Sequence, residues 1–134
     1  MLSRSENHKY FLDDIEVPGV TSVINEFLPK DFSKVNPDVL RRSIEFGIAV
    51  HSALTFLEQG DLDEATLDPE IQSRVWNWLY MKELCGIEID ACAQQFHSKK
   101  HVYAGEVDFI GTQAGTPCVF DLKTGQVPWT EKLQ

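Results

Sequence analysis

Tyr103-Ala104-Gly105-Glu106-Val107-Asp108-Phe109-Ile110, Gln113-Ala114-Gly115-Thr116 and Cys118-Val119-Phe120-Asp121-Leu122-Lys123-Thr124-Gly125 decide the reading of this chain. The first lies in a strand that the pattern places from Val102 to Ile110. The second is a turn, and the third holds a strand from Cys118 to Lys123 that Gly125 to Pro128 breaks. Side chains alternate across a strand, so Asp121 and Lys123 project from one face. Pairing symmetric about the Ala114-Gly115 bond puts Asp108 opposite Asp121, with Cα atoms about 4.5–5.5 Å apart.

Like charges directly opposite one another destabilise a sheet. Two carboxylates so placed call for a shared proton or a cation, and magnesium and manganese both take carboxylate oxygens. Such an ion polarises a scissile phosphate and lowers the pKa of a bound water. Lys123 adds a positive charge suited to orienting that water or to stabilising charge that develops on phosphorus. This chemistry points to metal-assisted phosphodiester hydrolysis. Spacing alone leaves a second reading open, in which both aspartates are strand-end residues near turns and Lys123 is their salt-bridge partner.

Working outward, Ile87-Glu88-Ile89-Asp90-Ala91 alternates as a half-buried strand does, continuing to about His97, and Ser98-Lys99-Lys100 reads as a turn. Before it, Asp68, Pro69 and Gly86 mark the cap, first turn and end of a helix whose buried stripe is Ile71, Val75, Trp78 and Leu79. Trp76, Trp78 and Tyr80 cover more than one face of it, which predicts extensive packing. An earlier helix runs from about Pro37 to Glu58 and ends at Gly60. Its stripe of Leu40, Ile44, Gly47/Ile48, His51 and Leu54 places His51 on the apolar face. A lone histidine there is usually a satisfied core residue, although imidazole also suits several transition metals. Nearer the start, Tyr10 to Leu28 reads as a small hairpin and then a short helix near Thr21–Leu28, and Pro29 to Pro37 as a loop. Trp129 to Gln134 could begin another helix.

The chain's 134 residues suffice for one domain, and 43% hydrophobic with 25% charged residues allows an ordinary globular core. No apolar run approaches the roughly 20 residues of a membrane-spanning helix, and the first residues lack a signal peptide's apolar stretch. A cytoplasmic protein without a membrane partner is the expectation. The three cysteines, Cys85, Cys92 and Cys118, read as small packed residues rather than zinc or redox groups. A net charge of −9 excludes nucleic-acid binding by bulk electrostatics. Phosphate contact would have to come from a local patch or a bound cation. His97, Lys99, Lys100 and His101, with Arg41 and Arg42 elsewhere, are the candidates, beside the alternative of a solvated turn.

Taken together, Gly47-Ile48-Ala49-Val50-His51, Gly105-Glu106-Val107-Asp108 and Asp121-Leu122-Lys123-Thr124-Gly125 resemble elements of the PD-(D/E)XK nucleases, in particular the RecB-like and phage-type exonucleases. They match the Gly-x-x-x-His, Gly-x-x-Asp and Asp-x-Lys-Thr-Gly elements in the family's order over most of the chain. Pro18-Gly19-Val20-Thr21-Ser22-Val23 is similar to the opening of phage-encoded members. The resemblance implies a single domain over residues 1–134 with a restriction-endonuclease-like α/β core, a mixed β-sheet flanked by helices. It implies that His51, Asp108, Asp121 and the Leu122 carbonyl hold magnesium or manganese. Lys123 would be the catalytic lysine, acting with Asp108 and Asp121. Gln134 would open the family's Gln-x-x-x-Tyr helix and contact nucleic acid together with Lys99 and Lys100. The helix expected after Gln134 would then be lacking.

The family's iron–sulfur members use four cysteines, so no such cluster is expected here. The implied function is a metal-dependent deoxyribonuclease, an exonuclease of phage or bacterial recombination or repair in the cytoplasm. DNA would be its partner, with a homo-oligomer or a recombination protein compatible with that role. The alternative is an inert nuclease-fold remnant serving as a nucleic-acid-binding or assembly module. The glutamines Gln94 and Gln95, where many relatives carry a glutamate, favour it, as do the acidic charge and the chain ending at Gln134.

Overall fold

The computed structural model describes residues 1–125. The elements are β1 (Leu2–Arg4), β2 (Tyr10–Leu12), β3 (Ile15–Val17), α1 (Val20–Phe27) and α2 (Pro37–Gln59), then a 3₁₀ turn at Glu64–Thr66. They continue with α3 (Pro69–Cys85), β4 (Ile87–Ser98), β5 (Tyr103–Gln113) and β6 (Thr116–Phe120). The result is a mixture of helices with two three-stranded sheets, ordered β1-β2-β3 and β4-β5-β6. Both are antiparallel where their register is defined. Among the described residues, two antiparallel sheets take the place of the one mixed sheet expected. Short connections explain this, because a parallel pair needs a crossover of a dozen or more residues. An isolated bridge between Gly19 and Ala104 does run parallel.

The described chain divides into two compact units, one of Met1–Lys34 with Ala93–Val107, the other of Val35–Cys92 with residues 108–125. In the first, β2 and β3 turn through Asp13 and Asp14, whose φ values of 50° and 67° are left-handed, as tight hairpins require. The expected hairpin and helix are therefore present, and β1 extends that hairpin to a third strand. Tyr10, Val17 and Ala104 are buried together. Arg4 Nη1 donates to Glu106 Oε2 at 2.6 Å, and Gln95 Nε2 donates to the same oxygen at 3.2 Å. Within β4, Ala93 has a φ of 49°, a left-handed residue of the kind that bulges a strand and ends its alternation.

The second unit holds α2 and α3. Asn36 Oδ1 accepts the Asp38 amide at 2.8 Å, Pro37 fills the first turn, and Gly60 closes α2 at a φ of 78°. Asp68 occupies the cap position of α3, although its side chain makes no cap hydrogen bond, and Gly86 ends the helix in the left-handed region. Phe109 and Val75 are fully buried at the centre, with Val50, Ala53 and Leu54 around them. The Trp78 ring stacks on Phe109 at 5.4 Å.

The helical stripes differ from those expected. α2 turns Phe46, Val50, Ala53, Leu54 and Leu57 inward, leaving Ile44 and Ile48 exposed. Apolar residues surround much of α2, so two stripes satisfy helical spacing and only packing selects between them. On α3, Trp78 packs inward while Trp76, Leu79 and Tyr80 are exposed.

A polar anchor ties the two helices. Glu58, its side chain only 8% exposed, accepts from Trp78 Nε1 at 2.6 Å and from Lys82 Nζ at 2.7 Å. Removing the cation from a nearly buried carboxylate leaves a desolvated charge. Lys82→Met should therefore cost about 1–3 kcal/mol of stability, read from the urea midpoint. An unchanged midpoint would mean that Glu58 is adequately solvated without it.

Candidate metal centre

The β5–β6 register pairs Phe109 with Phe120, Ile110 with Val119 and Gly111 with Cys118, the symmetry about Ala114-Gly115 expected from the sequence. Ala114 and Gly115 have φ values of 49° and 80°, and two left-handed residues form the hairpin turn whose twist matches the strands. The ladder stops at Phe120, however, short of the Lys123 expected. The cause is Asp108. Its Oδ2 accepts the Leu122 amide at 2.7 Å, so a carboxylate rather than a strand carbonyl takes the next donor.

This changes how the opposed carboxylates are accommodated. Asp108 turns toward α2, where His51 Nδ1 lies 3.3 Å from its Oδ1, while Asp121 Oδ2 accepts from Lys123 Nζ at 2.7 Å. The other imidazole nitrogen, Nε2, lies 3.1 Å from the Leu122 carbonyl oxygen. Both ring nitrogens thus face acceptors, and only the doubly protonated ring donates to both.

The electrostatics agree. The hydrogen bond to Asp108 raises the His51 pKa above its ordinary 6.5, with burial opposing and the Leu122 carbonyl and Asp121 assisting. Burial pushes the Asp108 carboxyl upward, but bonds from His51 and the Leu122 amide outweigh it and bring the pKa below 3.8.

A pH dependence of stability follows for the metal-free protein. The raised His51 pKa stabilises fully below 6.5, and that contribution is lost as pH rises through the folded value. The lowered Asp108 pKa stabilises above 3.8, and that contribution is lost as pH falls through the folded value. Both contribute between those limits. In chelator, the stability gap between wild type and His51→Gln should be widest near about pH 5 and narrow by about pH 9. A gap that grows with pH would contradict the charged ring.

α2 explains the spacing of its motif. His51 and Gly47 lie one turn apart, and a Cβ at Gly47 would sit 3.3 Å from Thr124 Oγ1. Gly47 therefore lets the Asp121–Thr124 segment lie close to the helix, where His51 meets Leu122. The Leu122 amide as the donor that fixes Asp108 was not foreseeable, because backbone groups carry no mark in the sequence.

The structure brings His51, Asp108 and Leu122 into direct contact and joins Asp121 to Lys123. Among the described residues, no three His, Cys, Asp or Glu side chains group as a set able to hold an ion. Lys99 and Lys100 occupy the exposed turn after β4, in the first unit. Arg41 pairs with Asp38 at 3.2 Å. Gln134 lies outside the described residues. None of the three cysteines is in a disulfide, and no described helix is long and apolar enough to cross a membrane.

Comparison with protein-family models, curated proteins and solved structures returns no match for this chain.

Proposed function

We propose that this protein is a magnesium- or manganese-dependent deoxyribonuclease of the PD-(D/E)XK type with a restriction-endonuclease-like core, acting as an exonuclease. The observation that carries the reading is the approach of His51 Nε2 to the Leu122 carbonyl beside Asp108, with Lys123 on the same segment. An imidazole lone pair, a carbonyl oxygen and a carboxylate form a donor set whose chemistry fits manganese well and magnesium through its oxygens. The proton between His51 and Leu122 stands between two of those donors. His51, Asp108, Asp121 and the Leu122 carbonyl are the residues that would hold the ion, a reading supported by the contacts that bring His51 of α2, Asp108 of β5 and Leu122 after β6 together.

When bound, a divalent ion supplies Lewis-acid polarisation of the phosphate and a more acidic water. The chain's own residues do the rest. Asp108 orients the His51 ring and pins the Leu122 amide, holding Leu122 and its neighbours at the strand end. Lys123, released from Asp121, brings a flexible ammonium to the charge that grows on the phosphoryl oxygens.

The test is cleavage of labelled single- and double-stranded DNA with magnesium, manganese or chelator, using wild type and active-site variants side by side. Metal-dependent cleavage lost in the variants supports the assignment. Equal activity in both would expose a contaminant. A second reading, an inert binding or assembly module, is favoured by one observation: both oxygens of Asp108 already have partners within the protein. Calorimetry with manganese separates the two, since a pure assembly module requires no manganese binding that depends on Asp108.

A further inference from the structure

The second unit carries an open pocket of about 470 Å³ whose chemistry none of the above explains. Arg42 and Ser43 of α2, Ser73 and Arg74 of α3, and Thr124 line it, together with Glu70. In a chain of net charge −9, two guanidinium groups facing one cavity are notable. Neither has a salt-bridge partner among the described residues, although other cations on this surface, such as Arg41, do. Arg74 lies over the Phe46 ring at 5.7 Å, which restrains its guanidinium without consuming its hydrogen-bond donors. Ser43 and Thr124 add hydroxyl donors, while the Ser73 hydroxyl already donates to the Glu70 carbonyl at 2.8 Å. Thr124 is the residue that follows Lys123.

The geometry points to a phosphate-binding subsite in this pocket, with Arg42 and Arg74 as its cationic walls. Guanidinium is suited to phosphate because its planar donors match two oxygens at once. Glu70 works against the anion but leaves the lining with two positive charges to one negative. The subsite rests on the nuclease reading, since Thr124 joins it to the Asp121–Lys123 segment. It deepens that reading by assigning a place for a phosphate of the strand other than the scissile one. That phosphate is either a terminal monoester or an internal diester, the same oxyanion chemistry from two sources.

Anisotropy of 3′-labelled oligodeoxythymidine, with and without a 5′-phosphate, tests it on the full chain in calcium-containing buffer, with inorganic phosphate as competitor. Arg42→Gln should weaken binding about tenfold or more, while Glu70→Gln should tighten it. Arg42 is exposed, and melting curves check that its variant folds. Loss of a preference for the phosphorylated strand in Arg42→Gln assigns a terminal phosphate. Equal weakening of both strands assigns an internal one. Binding unchanged in Arg42→Gln and Arg74→Gln, or no binding of strand or phosphate by wild type, overturns the subsite. Arginine-dependent binding without any cleavage would retain the subsite and refute the nuclease. Cleavage with an unaltered KM in Arg42→Gln would do the reverse.

Discussion

Asp108→Asn is expected to lower metal-dependent DNA cleavage by roughly 10²–10³-fold, the scale seen when one group stabilising developing charge is lost. Asparagine is the informative replacement. Its side-chain oxygen still accepts the Leu122 amide, so the strand end stays anchored as Asp108 Oδ2 anchors it at 2.7 Å. What disappears is the negative charge that faces His51 at 3.3 Å and would face a cation. Asp108→Ala removes the acceptor as well and should lose a further ~1 kcal/mol of stability, the net worth of one hydrogen bond. Cleavage by Asp108→Asn at the wild-type rate would remove Asp108 from the chemistry. Activity lost in both variants with folding retained in the asparagine protein would place the charge at the reaction.

Gly111→Ala should produce the largest loss of stability of any single methyl addition. A Cβ at Gly111 would lie 2.9 Å from the Glu88 carbonyl carbon and 3.0 Å from Ile89 Cα, and would overlap the Glu88 carbonyl oxygen outright. The obstruction is backbone of β4, which cannot rotate away as a side chain would. A cost of about 3 kcal/mol or more, the upper range for overpacking, is expected. The core around Val75 and Phe109 is small, and domains of this size have only about 5–15 kcal/mol in total. Gly115→Ala is the control. Its φ of 80° is strained for alanine, but no atom lies within 4 Å of the new Cβ. A cost nearer 1–2 kcal/mol, roughly that of a left-handed residue, should result. Comparable melting temperatures for the two variants would show that β4 shifts easily away from Gly111.

These two sites differ in how far the sequence foretells them. Asp108 is marked by its spacing from Asp121 and by the turn signal at Ala114-Gly115, and the register that follows is the one observed. Gly111 carries no local mark, since a glycine in a strand pattern is equally consistent with a bulge or a close approach. The helix limits were legible because Pro37, Gly60, Pro69 and Gly86 each act through their own backbone restrictions. The buried face of α2 was not, because Ile44 and Ile48 compete on equal spacing with Phe46 and Val50, and neighbouring elements decide which row meets Phe109.

The candidate site divides along the same line. The types and order of His51, Asp108, Asp121 and Lys123 are properties of the chain, as is the turn that sets the register up to Phe109 opposite Phe120. Those depend on local dihedral preference and on the two-residue period of a strand, both written residue by residue. Tertiary structure alone decided that Asp108 would take the Leu122 amide and end β6, that His51 would lie between a carboxylate and a carbonyl, and that Arg42 and Arg74 would share a pocket with Thr124. Each of those pairings joins groups far apart in the chain. The free energy of such contacts comes from mutual desolvation and hydrogen bonding, which exist only once the helices and the sheet have packed.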